Sequence, residues 1–145
     1  MKNKKYMVLL VDRQKVKFFT LIDGSVERID EFKNGRVPQK VRVNEEHYYG
    51  RGDKILRHIE DHLHRHLALV SQKAAVFAET NHIGGIVIGS HKPLFLKIEK
   101  HLPQHLFKKV EGRFVTELKE PFNDILERAK RLIDQIEKQA KIAEK

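Results

Sequence analysis

The chain has 145 residues, 40% of them hydrophobic and 34% charged, which suits one folded domain with its own core and excludes a disordered chain. It has no cysteine, so a disulfide framework and a thiolate zinc site are excluded, and the composition fits a cytoplasmic protein. The formal net charge of +9 favours a polyanionic partner, nucleic acid before anionic membrane, and the alternative is a basic soluble protein that binds no polyanion.

No apolar run approaches the roughly 20 residues of a membrane helix. Residues 1–5 are positive, but the apolar run Tyr6–Val11 behind them is too short for a signal-peptide core. No segment reads as a basic amphipathic anchor with a Trp or Phe face, so no membrane partner is expected.

In chain order, the continuous apolar run Tyr6–Val11 predicts a strand buried on both faces. Asp12-Arg13 ends it. Lys15–Ile22 predicts a second strand, Asp23-Gly24 a hairpin turn, and 25–32 a third strand anchored by Val26 and Ile29. The opening is thus an antiparallel meander. Residues 33–52 lack periodicity, contain Gly35, Pro38, Gly50 and Gly52, and read as a flexible basic loop, with a brief strand at Val41 and Val43 as an option. Ile55, Leu56, Ile59, Leu63, Leu67, Val70, Ala74 and Phe77 then recur at helical spacing and predict a helix over 53–79, about 40 Å long.

Gly84-Gly85 leads into a short buried strand ending at Ser90. Ser90 reads as a helix N-cap, with Pro93 in the first turn of a short helix to about His101. The run 106–110 predicts a last strand that Gly112 breaks. Pro121 opens a final helix with an apolar stripe of Phe122, Ile125, Leu126, Ala129, Leu132, Ile133 and Ile136, and the polar tail 138–145 is expected to fray. The order predicts an α/β layered domain, a mixed sheet of about five strands with helices packed on it, as a single domain over 1–145.

Four constellations bear on chemistry. In the loop and helix start, Arg51, Lys54 and Arg57, with Lys40 and Arg42, can neutralise phosphates and give salt-sensitive RNA binding. Tyr48 and Tyr49 beside them can stack on unpaired bases, worth about 1–3 kcal/mol each, while Gly50 and Gly52 give the loop its reach. Aromatics among basic residues in a glycine loop suit irregular RNA, and no DNA specificity is expected. The alternative is a solvated loop with its tyrosines packed underneath.

His58, His62 and His66 share one helix face at i, i+4, i+8. An i, i+4 pair can bind zinc, but a third ligand one further turn along cannot share the ion, so the expectation is two histidines at the edge of the apolar stripe and no metal. Gly89, Ser90 and Lys92 lie where a strand runs into a helix start and form a candidate anion site, though every α/β domain has such turns. Asp12, at the end of the first strand, occupies the place of a metal-binding acid in some nucleases. No converging carboxylates accompany it, and turn formation is the expected role. No Walker loop, dinucleotide fingerprint, serine elbow or cysteine nucleophile is present, and no cofactor is expected.

Three stretches in order carry a family resemblance. The first is the opening strand ending in Val11-Asp12-Arg13, with a second strand and an Asp-Gly turn. The others are Gly50-Arg51-Gly52-Asp53-Lys54-Ile55-Leu56-Arg57-His58 and Gly85-Ile86-Val87-Ile88-Gly89-Ser90. Over roughly residues 6 to 137 the chain resembles the middle domain of the eukaryotic and archaeal class 1 peptide-release factors. Pelota and smaller bacterial and archaeal release-factor-like proteins share that domain.

The resemblance implies a ribonuclease-H-like fold and a setting on the ribosome or near tRNA. It also implies a Gly-Gly-Gln loop tip that helps water attack the peptidyl-tRNA ester. Here Arg51-Gly52-Asp53 stands at the matching positions. Arg51 does not reach glycine-only backbone conformations cheaply, and Asp53 offers no amide donor and repels phosphate. The resemblance therefore implies a stand-alone domain that binds ribosome or tRNA in translation, rescue or dormancy without hydrolysis or stop-codon reading. Two alternatives stand beside it. One is a weak hydrolase of peptidyl-tRNA or RNA using Asp53 or Asp12. The other is a protein-interaction module of the host-attachment type, dimeric through the final helix.

Overall fold

In the computed structural model, the backbone is described for residues 4–33 and 51–143, and side-chain surroundings for 4–32 and 61–140. Three strands, β1 (Tyr6–Val11), β2 (Lys15–Ile22) and β3 (Ser25–Lys33), precede helix α1 (Arg51–Thr80). Strand β4 (Gly85–Ser90) follows. A 3-10 turn (Lys92–Leu94) then runs into α2 (Phe95–His101), with α3 (Gln104–Phe107), β5 (Val110–Val115) and α4 (Phe122–Ala143) after it.

The strands form one mixed sheet in the order β3-β2-β1-β4-β5. β1 and β2 are antiparallel, with Tyr6 opposite Leu21 and Val11 opposite Val16. β4 joins β1 in parallel, and β5 joins β4 in parallel. The turn between β2 and β3 places both Asp23 (φ 52°) and Gly24 (φ 77°) in the left-handed region, the pairing a two-residue hairpin requires.

β1 is buried at all six positions because helices cover both faces of the sheet. Met7, Leu9 and Val11 face a core built with Phe18, Ile88, Leu63, Leu67, Val70 and Ile98, under α1 and α2. Tyr6, Val8 and Leu10 face a second core with Phe19, Val87, Ile125, Ala129 and Ile133, under α4. Phe18 meets Phe77 of α1 at 5.3 Å between ring centroids, and Phe19 meets Phe122 at the head of α4 at 5.2 Å. The molecule is therefore three layers, with α1 to α3 on one face and α4 on the other.

The α4 stripe expected from the sequence faces this second core, with Phe122, Leu126, Leu132 and Ile136 packed at its margin. The apolar stripe of α4 is thus covered by the chain's own sheet. α4 is described to Ala143.

Three expectations are corrected. The segment expected as the last strand instead forms α3, where the Pro103 carbonyl accepts the N–H groups of Leu106 and Phe107. That turn buries Leu106 and leaves Phe107 exposed. β5 follows it and runs through Gly112. A register shift between Ile86 and Val87 turns Gly112 toward α4, where an added Cβ would lie 3.0 Å from both Leu132 and Ile136. Ile29 is 55% exposed on the edge strand β3 and anchors nothing, whereas Val26 packs against the second core. Ser90 is the last residue of β4 and caps no helix. His91 precedes the 3-10 turn and makes no side-chain cap.

Candidate nucleic-acid interface

The position of α1 follows from how its two ends meet the sheet. At the carboxyl end of β1, Asp12 folds the chain back: its Oδ1 accepts the N–H groups of Gln14 (2.7 Å) and Lys15 (2.5 Å). The Asp12 carbonyl oxygen in turn accepts the Nε2–H of His66 at 3.0 Å. Beside it, the Ser90 hydroxyl donates to the Val11 carbonyl at 2.5 Å, and the Ser90 carbonyl accepts the N–H of Thr116 at 3.1 Å. The carboxyl ends of the three parallel strands are thus tied together, and α1 is anchored beside them at the end of β1.

His66 is 1% exposed, and its Nδ1 is buried without a partner. Burial holds its pKa below the ordinary imidazole value of 6.5, outweighing the Asp12 carbonyl and the Asp12 charge, which act the other way. The ring is therefore a neutral core group that donates once.

At its other end α1 stops in a reciprocal hydrogen-bonded cap. His82 adopts φ 54°, its N–H reaches Glu79 O, and Ile83 N–H reaches Ala78 O at 3.0 Å. The next N–H, of Gly84, donates to Lys5 O at 2.8 Å, on the amino side of β1. From His66 to Thr80 the helix therefore crosses the whole sheet, carboxyl edge to amino edge.

α1 starts at Arg51, so fifteen further helical residues precede His66. Leu63 still packs in the core, so the twelve residues before it, 51–62, form the projecting part, about 18 Å long at 1.5 Å per residue. The base of this arm is braced by α2. His101 donates from Nδ1 to Lys97 O at 2.8 Å, so its Nε2 accepts from His64 Nδ1–H at 2.9 Å. The two rings pack edge to face at 4.7 Å. Farther along the helix, Lys73 Nζ lies 4.6 Å from the Phe32 ring centre.

The chain superposes on an archaeal translation termination factor with TM-score 0.61 and 15% identity, covering 96% of this chain and 38% of that one. It superposes on a second archaeal protein with TM-score 0.59 and 11% identity, again covering 96% and 38%. Pelota of Archaeoglobus fulgidus matches with TM-score 0.53 and 14% identity, covering 99% of this chain and 36% of that one. The chain thus spans a little over a third of each of these larger proteins, and the likeness is one of fold. No curated protein matches the sequence.

The sequence model of bacterial archaeo-eukaryotic release factor family 10 matches residues 1–133, and the chain belongs to that family.

Of the residues expected to contact RNA, Lys40, Arg42, Tyr48, Tyr49 and Gly50 lie outside the described residues, as do Val41 and Val43. Arg51, Gly52, Asp53, Lys54 and Arg57 lie on the first two turns of α1, at the far end of the arm. The helix therefore starts two residues earlier than expected. Gly89 and Ser90 are not arranged as an anion cradle. Ser90 is fully buried with its hydroxyl on Val11, and an added Cβ at Gly89 would lie 2.7 Å from both Leu10 and Phe114. Lys92 stands apart from them, exposed in the 3-10 turn.

Asp12 forms its turn as expected, with its carboxylate engaged by backbone N–H groups. Of the histidines expected at the stripe's edge, His66 instead lies wholly inside the core. Among the described residues, no three His, Asp or Glu side chains are grouped to hold a metal. Among the described residues, no helix is long and apolar enough to cross a membrane.

Proposed function

We propose that the protein is a release-factor-like domain that binds the ribosome or tRNA and acts in translation, rescue or dormancy without cleaving peptidyl-tRNA. Membership of a release factor family supports a translation-related role. The observation that carries the reading is the arm, the helical segment 51–62 that extends α1 by about 18 Å before its packed part and bears the Arg51-Gly52-Asp53 segment at its tip. A phosphate-lined ribosomal site is narrow, and a helix end with a basic approach fits it. Arg51, Lys54 and Arg57 would contact phosphates there, joined by Lys40, Arg42, Tyr48 and Tyr49 from the preceding segment. The carboxylate of Asp53 can neither donate a hydrogen bond to an attacking water nor sit comfortably among phosphates, which argues for retention without hydrolysis.

Sedimentation with ribosomes checks this. The protein is expected in the ribosomal pellet at low salt and in the supernatant at high salt, because phosphate contacts release counterions. Arg51→Ala combined with Lys54→Ala should shift the midpoint of release to lower salt. Absence from the pellet at low salt, or a double variant that behaves as the parent, would remove the basis of the proposal.

A further inference from the structure

Cationic charge is unevenly placed. α1 carries five Lys and Arg against four acids, and α4 the same, so both helices are nearly balanced. Residues 91–109, the 3-10 turn with α2 and α3, carry five lysines and three histidines against Glu99 alone. Their net is +4, of the chain's +9.

Pairing sharpens the contrast. Outside this segment six described cations sit on carboxylates, among them Lys4–Glu111 (2.8 Å), Lys5–Glu27 (3.2 Å) and Arg128–Glu120 (2.6 Å), and Lys17 and Lys73 lie over phenylalanine rings. In the α2 segment the one acid, Glu99, is held by Arg113 of β5 and is not available to the lysines. Lys92, Lys97 and Lys100 are exposed, and none forms an ion pair with a described residue. Lys97 and Lys100 are three apart on one helix, where like charges repel and weaken the helix slightly. α2 buries Ile98 on the opposite side, so both lysines face outward. The His64–His101 contact joins this surface to the base of the arm, where Arg65 is also exposed.

We infer that the outward face of α2, with Lys92, Lys97 and Lys100, is a second docking surface for an RNA phosphate backbone, continuous through His64, His101 and Arg65 with the base of the arm. It rests on the reading of the protein as an RNA binder and adds where the affinity resides. RNA that meets the arm tip runs back along this face, and the three lysines neutralise successive phosphates. RNA is favoured over an anionic lipid surface because the face continues into an arm about 18 Å long (twelve residues at 1.5 Å each), which a flat bilayer would not accommodate.

The test is tRNA binding by fluorescence anisotropy across a salt series, with three proteins: the parent, Lys92→Ala/Lys97→Ala/Lys100→Ala, and the same three positions changed to Arg. The alanine variant should bind at least about tenfold more weakly at low salt. Its slope of log affinity on log salt should fall by about 1 per lysine. The arginine variant should bind as the parent does, which separates charge from folding. If the parent binds tRNA and the alanine variant binds equally well with the same slope, the α2 surface is wrong while the functional proposal stands. If the parent binds no tRNA and sediments with no ribosomes, both fall. If the parent binds vesicles containing phosphatidylserine but not tRNA, and the alanine variant loses that binding, the surface is a lipid-docking one and the RNA assignment is overturned.

Discussion

The imidazole of His66 is held between two demands: its Nε2–H satisfies the Asp12 carbonyl, while its Nδ1 is buried and unpaired. Protonation would place a charge where no acceptor waits, so the folded state binds a proton less readily than the unfolded chain. The sign follows directly. A pKa depressed by folding contributes stability that is present above 6.5 and is lost as pH falls from there toward the lower folded value. Urea midpoints should therefore fall as pH drops below 6.5, and His66→Gln, which keeps a donor for Asp12 O without titrating in this range, should flatten that fall. An equal slope in parent and variant would show that other groups set it. Nothing in the sequence announced this burial. His66 follows the helical stripe closely enough to be placed at its edge, but its place inside the core depends on a carbonyl 54 residues away.

At the level of elements, the strands and helices set by long periodic runs were legible. β1 and β2 have the bounds their apolar runs predict, because a strand buried on both faces leaves no other register for Met7, Leu9 and Val11. α1 and α4 were equally plain from their stripes. The segment 104–115 was not. Leu106-Phe107 is too short to show a period, and a proline-led turn splits the pair into one buried and one exposed side chain. Gly112 read as a breaker because a lone glycine does not reveal that Leu132 and Ile136 press against its missing side chain.

The same logic makes Gly89 a sensitive point of β4. Gly89→Ala puts a Cβ 2.7 Å from both Leu10 Cδ2 and Phe114 Cζ, in a central strand that cannot shift easily. It should lower unfolding free energy by about 1–3 kcal/mol in urea titrations while leaving the circular dichroism of the folded state unchanged. A loss below about 0.3 kcal/mol would mean that the two side chains simply turn aside.

For the whole molecule, the layered sheet is a platform and the N-terminal half of α1 is what it presents. His66 and Ser90 secure the platform at the edge from which the arm leaves, and α2 braces the arm through His64 and His101. The sequence pointed to this helix and its glycine-bearing start, but the length of the overhang appears only when His66 is placed at Asp12 and Gly84 at Lys5. The lysines of residues 91–109 were legible as a count, five against one acid, yet that Lys92, Lys97 and Lys100 pair with no carboxylate among the described residues is a property of the fold.

The central claim is that this reach persists without the hydrolysis of a release factor. It is tested in one tube, with ribosomes carrying labelled peptidyl-tRNA, incubated with the protein at low salt and then pelleted. The account predicts the protein in the pellet with the label still esterified to tRNA. Protein left in the supernatant, or label released as free peptide in proportion to the protein added, would contradict it.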